Sequence, residues 1–428
     1  MTSIIETAAE ITKLDDIRAA REDWREELTY NRSGEAYGNE LNVITALEKA
    51  HALQDLVAYN EFSDEVMLMR PAPWRELEEP EPWTDIDRVE LQAWLQAEGL
   101  QVNRANVVQD AVVTVARRKT YNPVTAYLDS LQWDGTYRLS NWLEHYLGAI
   151  GNPRYLDAIG PRILVGAVAR AYRPGCKLDI VPVLEGPQGA FKSTVVKILG
   201  EPWCADGVPD LSTKDAAIQV QGVWIVELEE LASMRRADVE HVKAFLSRSV
   251  DRYRPPYGRN AVNRPRRCVF IATTNEQDYL KDETGNRRFW PIRCRDIKPD
   301  LLQRDKDQLL AEAVHEFKNG FEWHLSADDE VLAEQEQELR RLIPELEADL
   351  LDYLDAQVQQ GKTTVLMREL LTEVAGIRDF AKDRYHAGAI ATQFSRAMRK
   401  AGWEKLKPVG RGENRRQPYQ FLGGHKRS

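Results

Sequence analysis

The sequence predicts an α/β core built around a phosphate-binding loop, with a mostly helical N-terminal region ahead of it and a winged-helix domain behind. Three observations predict this. The apolar run Ile180–Leu184 leads through a glycine-bearing loop into Val195–Gly200, which has helical spacing. Two further apolar runs, Gly222–Leu231 and Arg267–Glu276, end in polar side chains, as parallel strands do where they meet a ligand. Residues 362–428 carry two helical patterns and then two short strands around a basic turn.

The chain has 428 residues, room for roughly three ordinary domains. Its 43% hydrophobic content suffices for real cores and excludes wholesale disorder. The four cysteines, Cys176, Cys204, Cys268 and Cys294, form no CxxC pair, which points to a reducing, cytoplasmic setting and away from structural zinc or a disulfide framework. The start lacks the basic-then-apolar order of a signal peptide, and no apolar run approaches membrane-spanning length. The net charge of −10 hides a polarity. Residues 1–110 hold 24 acids and 10 bases, whereas residues 362–428 hold 15 bases and 6 acids. The basic end is the nucleic-acid candidate.

Residues 1–120 read as a helical, acidic region with helices at 14–28 and 40–58 and a helical pair over 87–118. Between them, 70–87 is rich in proline and acid and reads as a linker carrying Trp74 and Trp83. No catalytic constellation shows there, so docking or scaffolding is expected. In 121–325, Trp133-Asp134-Gly135 reads as a turn whose tryptophan is anchored in a core, and 162–172 as an apolar helix feeding the first strand.

The loop Gly186-Pro187-Gln188-Gly189-Ala190-Phe191-Lys192-Ser193-Thr194 lies between strand and helix, the context of a P-loop NTPase. Backbone N–H groups over Gly186, Gln188 and Gly189, with the positive end of the helix, suit phosphate oxygens. Lys192 supplies a point charge to the β- and γ-phosphates, and the Ser193 hydroxyl a ligand for Mg²⁺. The common pattern has glycine where Phe191 stands, so its ring is expected to turn away from the nucleotide, onto the base of the helix.

About 35 residues beyond the loop, Glu227 falls where it can support Mg²⁺, and Glu230, or less favourably Glu229, where it can orient or deprotonate a water. Asn275 ends the third strand within reach of a γ-phosphate. Arg287 and Arg288 follow beside a turn and suit a finger directed at a neighbouring subunit's nucleotide. Between the second and third strands, Lys243–Arg259 alternates bases and aromatics around Pro255-Pro256-Tyr257-Gly258. Arg252, Arg254 and Arg259 there match phosphates, and Tyr257 offers a stacking face for single-stranded nucleic acid.

Residues 326–361 read as a charged helical spacer with a solvated face. In 362–428, helices at 365–375 and 387–401 precede a basic hairpin. Arg396, Arg399 and Lys400 lie on the second helix and Arg415 and Arg416 on the wing, the arrangement of a winged helix on duplex DNA.

The strings GPQGAFKST, KDAAIQVQGVWIVELEEL, KAFLSRSVDRYRPPYGR, CVFIATTNE and DETGNRRFWPIRC, with Trp133-Asp134-Gly135 and Arg173-Pro174-Gly175-Cys176-Lys177, resemble the virulence-associated protein E family. That family is similar to the superfamily 3 helicases of phages and mobile elements, within the AAA+ clade, and the resemblance covers about 120–325. It implies an ATP-dependent DNA helicase or replication-initiation ATPase of a phage, prophage or satellite element. Such an enzyme uses ATP and Mg²⁺ and works as a ring, in hexameric form. By resemblance, Lys192, Ser193 and Thr194 hold phosphate and Mg²⁺, Glu227 and Glu230 are the acidic pair, Asn275 is the sensor, and Arg287 or Arg288 the finger. Lys243 and the 252–259 hairpin fall at the pore, on single-stranded DNA. Relatives often carry a primase domain; here no primase acid cluster shows, and no primer synthesis is expected. A sequence-specific DNA-binding regulator that uses the ATPase fold for assembly is the competing reading.

Overall fold

A computed structural model describes residues 24–205, 216–229, 236–253, 261–275, 279–280, 286–340, 344–380, 384–409 and 417–422, with some side chains between 236 and 240, 344–345 and 384–400 excepted. The chain divides into two compact units, one of Met1–Ser130 with Gln221–Val223, the other of Leu131–Val220 with Trp224–Ser428.

The first unit holds a small sheet beside the expected helices. Helices at Glu40–Lys49, Asp85–Ala97 and Ala105–Arg118 share it with a four-stranded sheet of Val57–Asn60, Glu65–Leu68, Glu81–Pro82 and Thr120–Tyr121. The helix expected to reach residue 58 stops at Lys49. Val57–Asn60 is buried at all four positions and pairs antiparallel with Glu65–Leu68, so tertiary burial overrides the helical pattern. The expected linker is packed structure. Trp74 and Trp83 meet edge to face at 6.5 Å and lie against the core. Asp87, 1% exposed, accepts from Trp74 Nε1 at 3.2 Å and closes a capping box with Thr84.

The second unit is organised on five parallel strands: β1 (Val181–Glu185), β2 (Cys204–Ala205), β3 (Ile225–Leu228), β4 (Val269–Thr274) and β5 (Phe289–Arg293). Their order across the sheet is β5-β1-β4-β3-β2. Both β1 and β3 are buried throughout, as strands covered on two faces must be. Helix α1 (Pro153–Tyr172) and helix α2 (Lys192–Gly200) both pack against α3 (Pro299–Lys318). Trp133 is half-buried and not in a core. It packs on Tyr137 and His315, with ring centroids at 5.0 and 4.5 Å, while the buried Glu312 carboxylate accepts the N–H groups of Arg138 and Leu139.

Between β3 and β4, Val250–Tyr253 and Val262–Pro265 pair antiparallel. The stretch expected as a solvated spacer forms two helices, Ala327–Glu338 and Pro344–Gln359, that bury Glu336, Gln337, Leu350 and Leu354. Near the C-terminus a strand, Thr364–Leu366, precedes the helix Met367–Glu373, where one longer helix was expected. The helix Arg384–Lys400 and the strands Trp403–Lys405 and Pro418–Phe421 complete this part, with Pro418–Phe421 central in a three-stranded antiparallel sheet. No helix among the described residues is long and apolar enough to cross a membrane.

Candidate functional site

The C-terminal ends of β1, β3 and β4 lie side by side because β4 pairs in parallel with both neighbours. Thr274 is level with Glu185, and Ile271 with Glu227. Strand, loop and helix follow directly as β1, Gly186–Phe191 and α2. Lys192 thereby opens a helix next to the residue that ends β4.

The Lys192 ammonium is almost fully enclosed and donates to three oxygens: Gly186 O, Pro187 O and Asn275 Oδ1, each at 2.8 Å. Burial lowers its pKa, opposed by the facing Cys294 and Glu227. One residue on, Ser193 Oγ donates to Glu227 Oε1 at 2.7 Å, and Thr273 Oγ1 donates to the same oxygen at 2.8 Å. Glu227 is 1% exposed, so its carboxylate is held by these hydroxyls rather than by water. Above these groups opens a cavity of about 430 Å³, walled by Gln188, Gly189, Phe191, Thr194, Glu229 and Asn275 among others. Gly189 has φ +78°, a conformation glycine adopts freely, and Gly186 lies where an added Cβ would press on Cys294 O at 3.2 Å.

The loop residues Gly186, Gln188, Gly189, Lys192, Ser193 and Thr194 are thus assembled with Glu227 and Asn275. Glu230 lies outside the described residues. Glu229, in the turn just past β3, lines the cavity. Phe191 departs from expectation: its backbone is left-handed (φ 61°, ψ 23°), and its ring is 56% exposed at the cavity wall instead of folded onto the helix base.

Arg287 and Arg288 are not part of this assembly. They form the short turn just before β5, and β5 runs parallel to β1 from Phe289 beside Val181 to Arg293 beside Glu185. That places them at the N-terminal end of the sheet, roughly 15 Å from the loop at the rise of a strand. There they line a second cavity of about 260 Å³ with Lys177, Asp179 and Glu334, and Arg288 Nε donates to Ser247 Oγ at 2.8 Å.

Of the residues expected on nucleic acid, Arg252 and Arg399 are exposed. Lys243 is only 3% exposed, because its helix turns that side inward, so its charge is not displayed for a polynucleotide. Arg254, Tyr257, Arg259, Arg415 and Arg416 lie outside the described residues, as do the side chains of Arg396 and Lys400. Sequence reasoning missed Thr273, whose signal was its place two residues before Asn275 at a strand end. It also missed Glu185, Tyr279 and Arg340, for which no local signal exists.

A family model described as the virulence-associated protein E-like domain matches residues 128–342. No curated protein matches the chain. Among solved structures, the apo structure of the NrS-1 C-terminal region is 14% identical, with 86% of this chain and 96% of that one covered and a TM-score of 0.40. Its A form is 12% identical over the same shares, with a TM-score of 0.42.

Proposed function

This chain belongs to the virulence-associated protein E-like family, and from that premise we propose that it is an ATP-dependent DNA helicase or replication-initiation ATPase of a phage, prophage or satellite element. In this reading the second unit is an AAA+-like P-loop core of the superfamily 3 kind, and residues 362–428 are a winged helix on duplex DNA. One observation carries the reading. At the C-terminal end of a parallel sheet, a helix-opening lysine is shared between loop carbonyls and a strand-end asparagine, beside a serine–glutamate pair.

The chemistry follows from what each group can exchange. The Lys192 ammonium holds loop carbonyls that a triphosphate can replace with better acceptors, since charge-assisted bonds to phosphate are stronger than bonds to neutral carbonyls. Loop N–H groups and the α2 terminus receive the phosphates. Ser193 and Glu227 present hard oxygen donors 2.7 Å apart, which suits Mg²⁺ bound by few protein ligands and the nucleotide. When bound, Mg²⁺ supplies neutralisation of charge on the β- and γ-phosphates. Glu230 or Glu229 is assigned as the base that takes the proton of the attacking water, and Glu229 is on the cavity wall. Asn275 orients the γ-phosphate. No arginine lines this cavity among the described residues. Arg287 or Arg288 is therefore assigned to the site of the next protomer in a ring, which we take to be a hexamer.

Lys192→Ala is expected to abolish DNA-stimulated ATP hydrolysis in folded protein, and retained turnover overturns the assignment. Glu230→Gln or Glu229→Gln, whichever removes the base, is expected to keep ATP binding and lose hydrolysis, and the two single variants tell them apart. Strand displacement on a forked duplex separates the helicase from a DNA-binding regulator, which would bind duplex without unwinding it.

A further inference from the structure

The phosphate-binding loop is fastened from below by an arginine far along the chain. Arg340 lies just past the helix Ala327–Glu338, and its guanidinium is enclosed. It grips the Glu185 carboxylate with two bonds, Nε to Oε1 at 2.8 Å and Nη2 to Oε2 at 3.1 Å. Its third nitrogen, Nη1, donates to Glu336 O at 3.0 Å and to the Glu336 carboxylate. Tyr279 Oη donates to Glu185 Oε1 at 2.9 Å, and the Leu280 N–H bonds Arg340 O at 3.2 Å. Both partners of the pair are buried, Glu185 to 2%. Glu185 is the last residue of β1, and the next two residues provide the carbonyls that hold Lys192.

Arg340 thus joins three segments: the strand end before the loop, the segment after Asn275, and the last turn of a helix. A buried ion pair is weak evidence for stability, because apolar side chains of similar volume often do as well. What a bidentate guanidinium–carboxylate pair adds is one geometry.

We propose that Arg340 is a positioning residue for the phosphate-binding loop, fixing the Glu185 carboxylate at the end of β1 and through it the carbonyls of Gly186 and Pro187 that seat the Lys192 ammonium. Its meaning for ATP rests on the nucleotide reading above; the mechanical claim does not. The turn carrying Arg340, just past that helix, is in this account a support of the ATP site.

The test is hydrogen–deuterium exchange on the full chain without nucleotide, comparing wild type with Arg340→Lys and with Glu185→Gln. Lysine keeps the charge and loses the fork, and glutamine keeps the shape and loses the charge. In either variant, amides of peptides spanning 184–192 are expected to exchange about ten-fold faster, the equivalent of one charge-assisted hydrogen bond. Peptides of the buried strands at 225–228 and 289–293 should keep wild-type rates. Wild-type exchange over 184–192 in both variants overturns the proposal, and so does faster exchange spread evenly over the sheet, which marks a merely structural pair. Binding of a slowly hydrolysed ATP analogue with Mg²⁺ is measured alongside. If the loop loosens locally and wild type binds no analogue, the nucleotide reading falls and the positioning role stands.

Discussion

The polar groups at the cavity wall and those behind the hairpin, at the two ends of the parallel sheet, are held in opposite ways. At the C-terminal end, Lys192, Ser193, Glu227, Thr273 and Asn275 bond one another through single hydrogen bonds at the wall of an open cavity. At the N-terminal end, just ahead of β4, Arg266 and Asp251 form an ion pair in which both side chains are 1% exposed. Arg266 Nε reaches Asp251 Oδ2 at 2.8 Å, and the guanidinium lies 4.3 Å from the centre of the Phe245 ring and 5.6 Å from that of Phe270. Asp251 belongs to the first strand of the hairpin and Arg266 follows the second, so the pair closes the hairpin's base against the core. The first set of bonds can be exchanged for a ligand's; the second cannot open without stranding a charge.

Substitutions should therefore separate by end. The largest effect is expected from Arg287→Ala, at the N-terminal end of the sheet, if in the proposed ring it acts on a neighbour's nucleotide. Turnover should then fall roughly 10³-fold or more, the effect of removing an arginine finger, with ATP binding unchanged. Mixing that variant with Lys192→Ala protomers should restore part of the activity, because each supplies what the other lacks. Normal turnover in Arg287→Ala and Arg288→Ala alike removes the finger. Next in size is Asp251→Ala, which leaves Arg266 buried without its carboxylate and should cost about 3–5 kcal/mol of stability. Chemical denaturation measures it; a loss under about 1 kcal/mol would mean that water reaches Arg266 and the two ends are alike.

The contrast also marks what could be read in the sequence. The loop was legible because phosphate binding needs glycine, lysine and a hydroxyl at fixed offsets. Glu227 and Asn275 were legible because each ends an apolar strand. Their meeting depends on β4 inserting between β1 and β3, a matter of strand order that the sequence does not give. Arg340 was not legible: its partner Glu185 is 155 positions away, and the surrounding helix is so rich in acid that its pattern reads as solvated. The N-terminal sheet was hidden for another reason. Its strands span two to four residues, too short for alternation to show, and Val57–Asn60 is buried on both faces.

At the exchangeable end, Asn275→Ala should lower turnover about 10²-fold, the range for removing one oriented polar group from a charge-developing site. Stability should change little, since Lys192 keeps Gly186 O and Pro187 O. A kinetic split decides it: kcat falls while KM for ATP holds. If KM rises and kcat holds, Asn275 serves ground-state binding and the sensor role goes.

The smallest effect is expected at Phe191, where the exchangeable end carries its own strain. Among the described residues only Asp55, Asp64 and Phe191 are non-glycines with positive φ, and Phe191 alone of these borders the loop cavity. A left-handed backbone costs a side chain about 1–2 kcal/mol. Phe191→Gly removes that cost but gives the unfolded chain back about 0.4–1 kcal/mol of entropy. Little packing is lost, because the ring is already 56% exposed. The net should be a gain of about 1 kcal/mol or less, read by denaturation. Removing the Cβ also lets the backbone approach phosphate more closely, so ATP affinity should tighten a few-fold. Weaker binding in a variant of unchanged stability would mean that the ring itself touches the ligand, and that the strain at Phe191 is retained for contact.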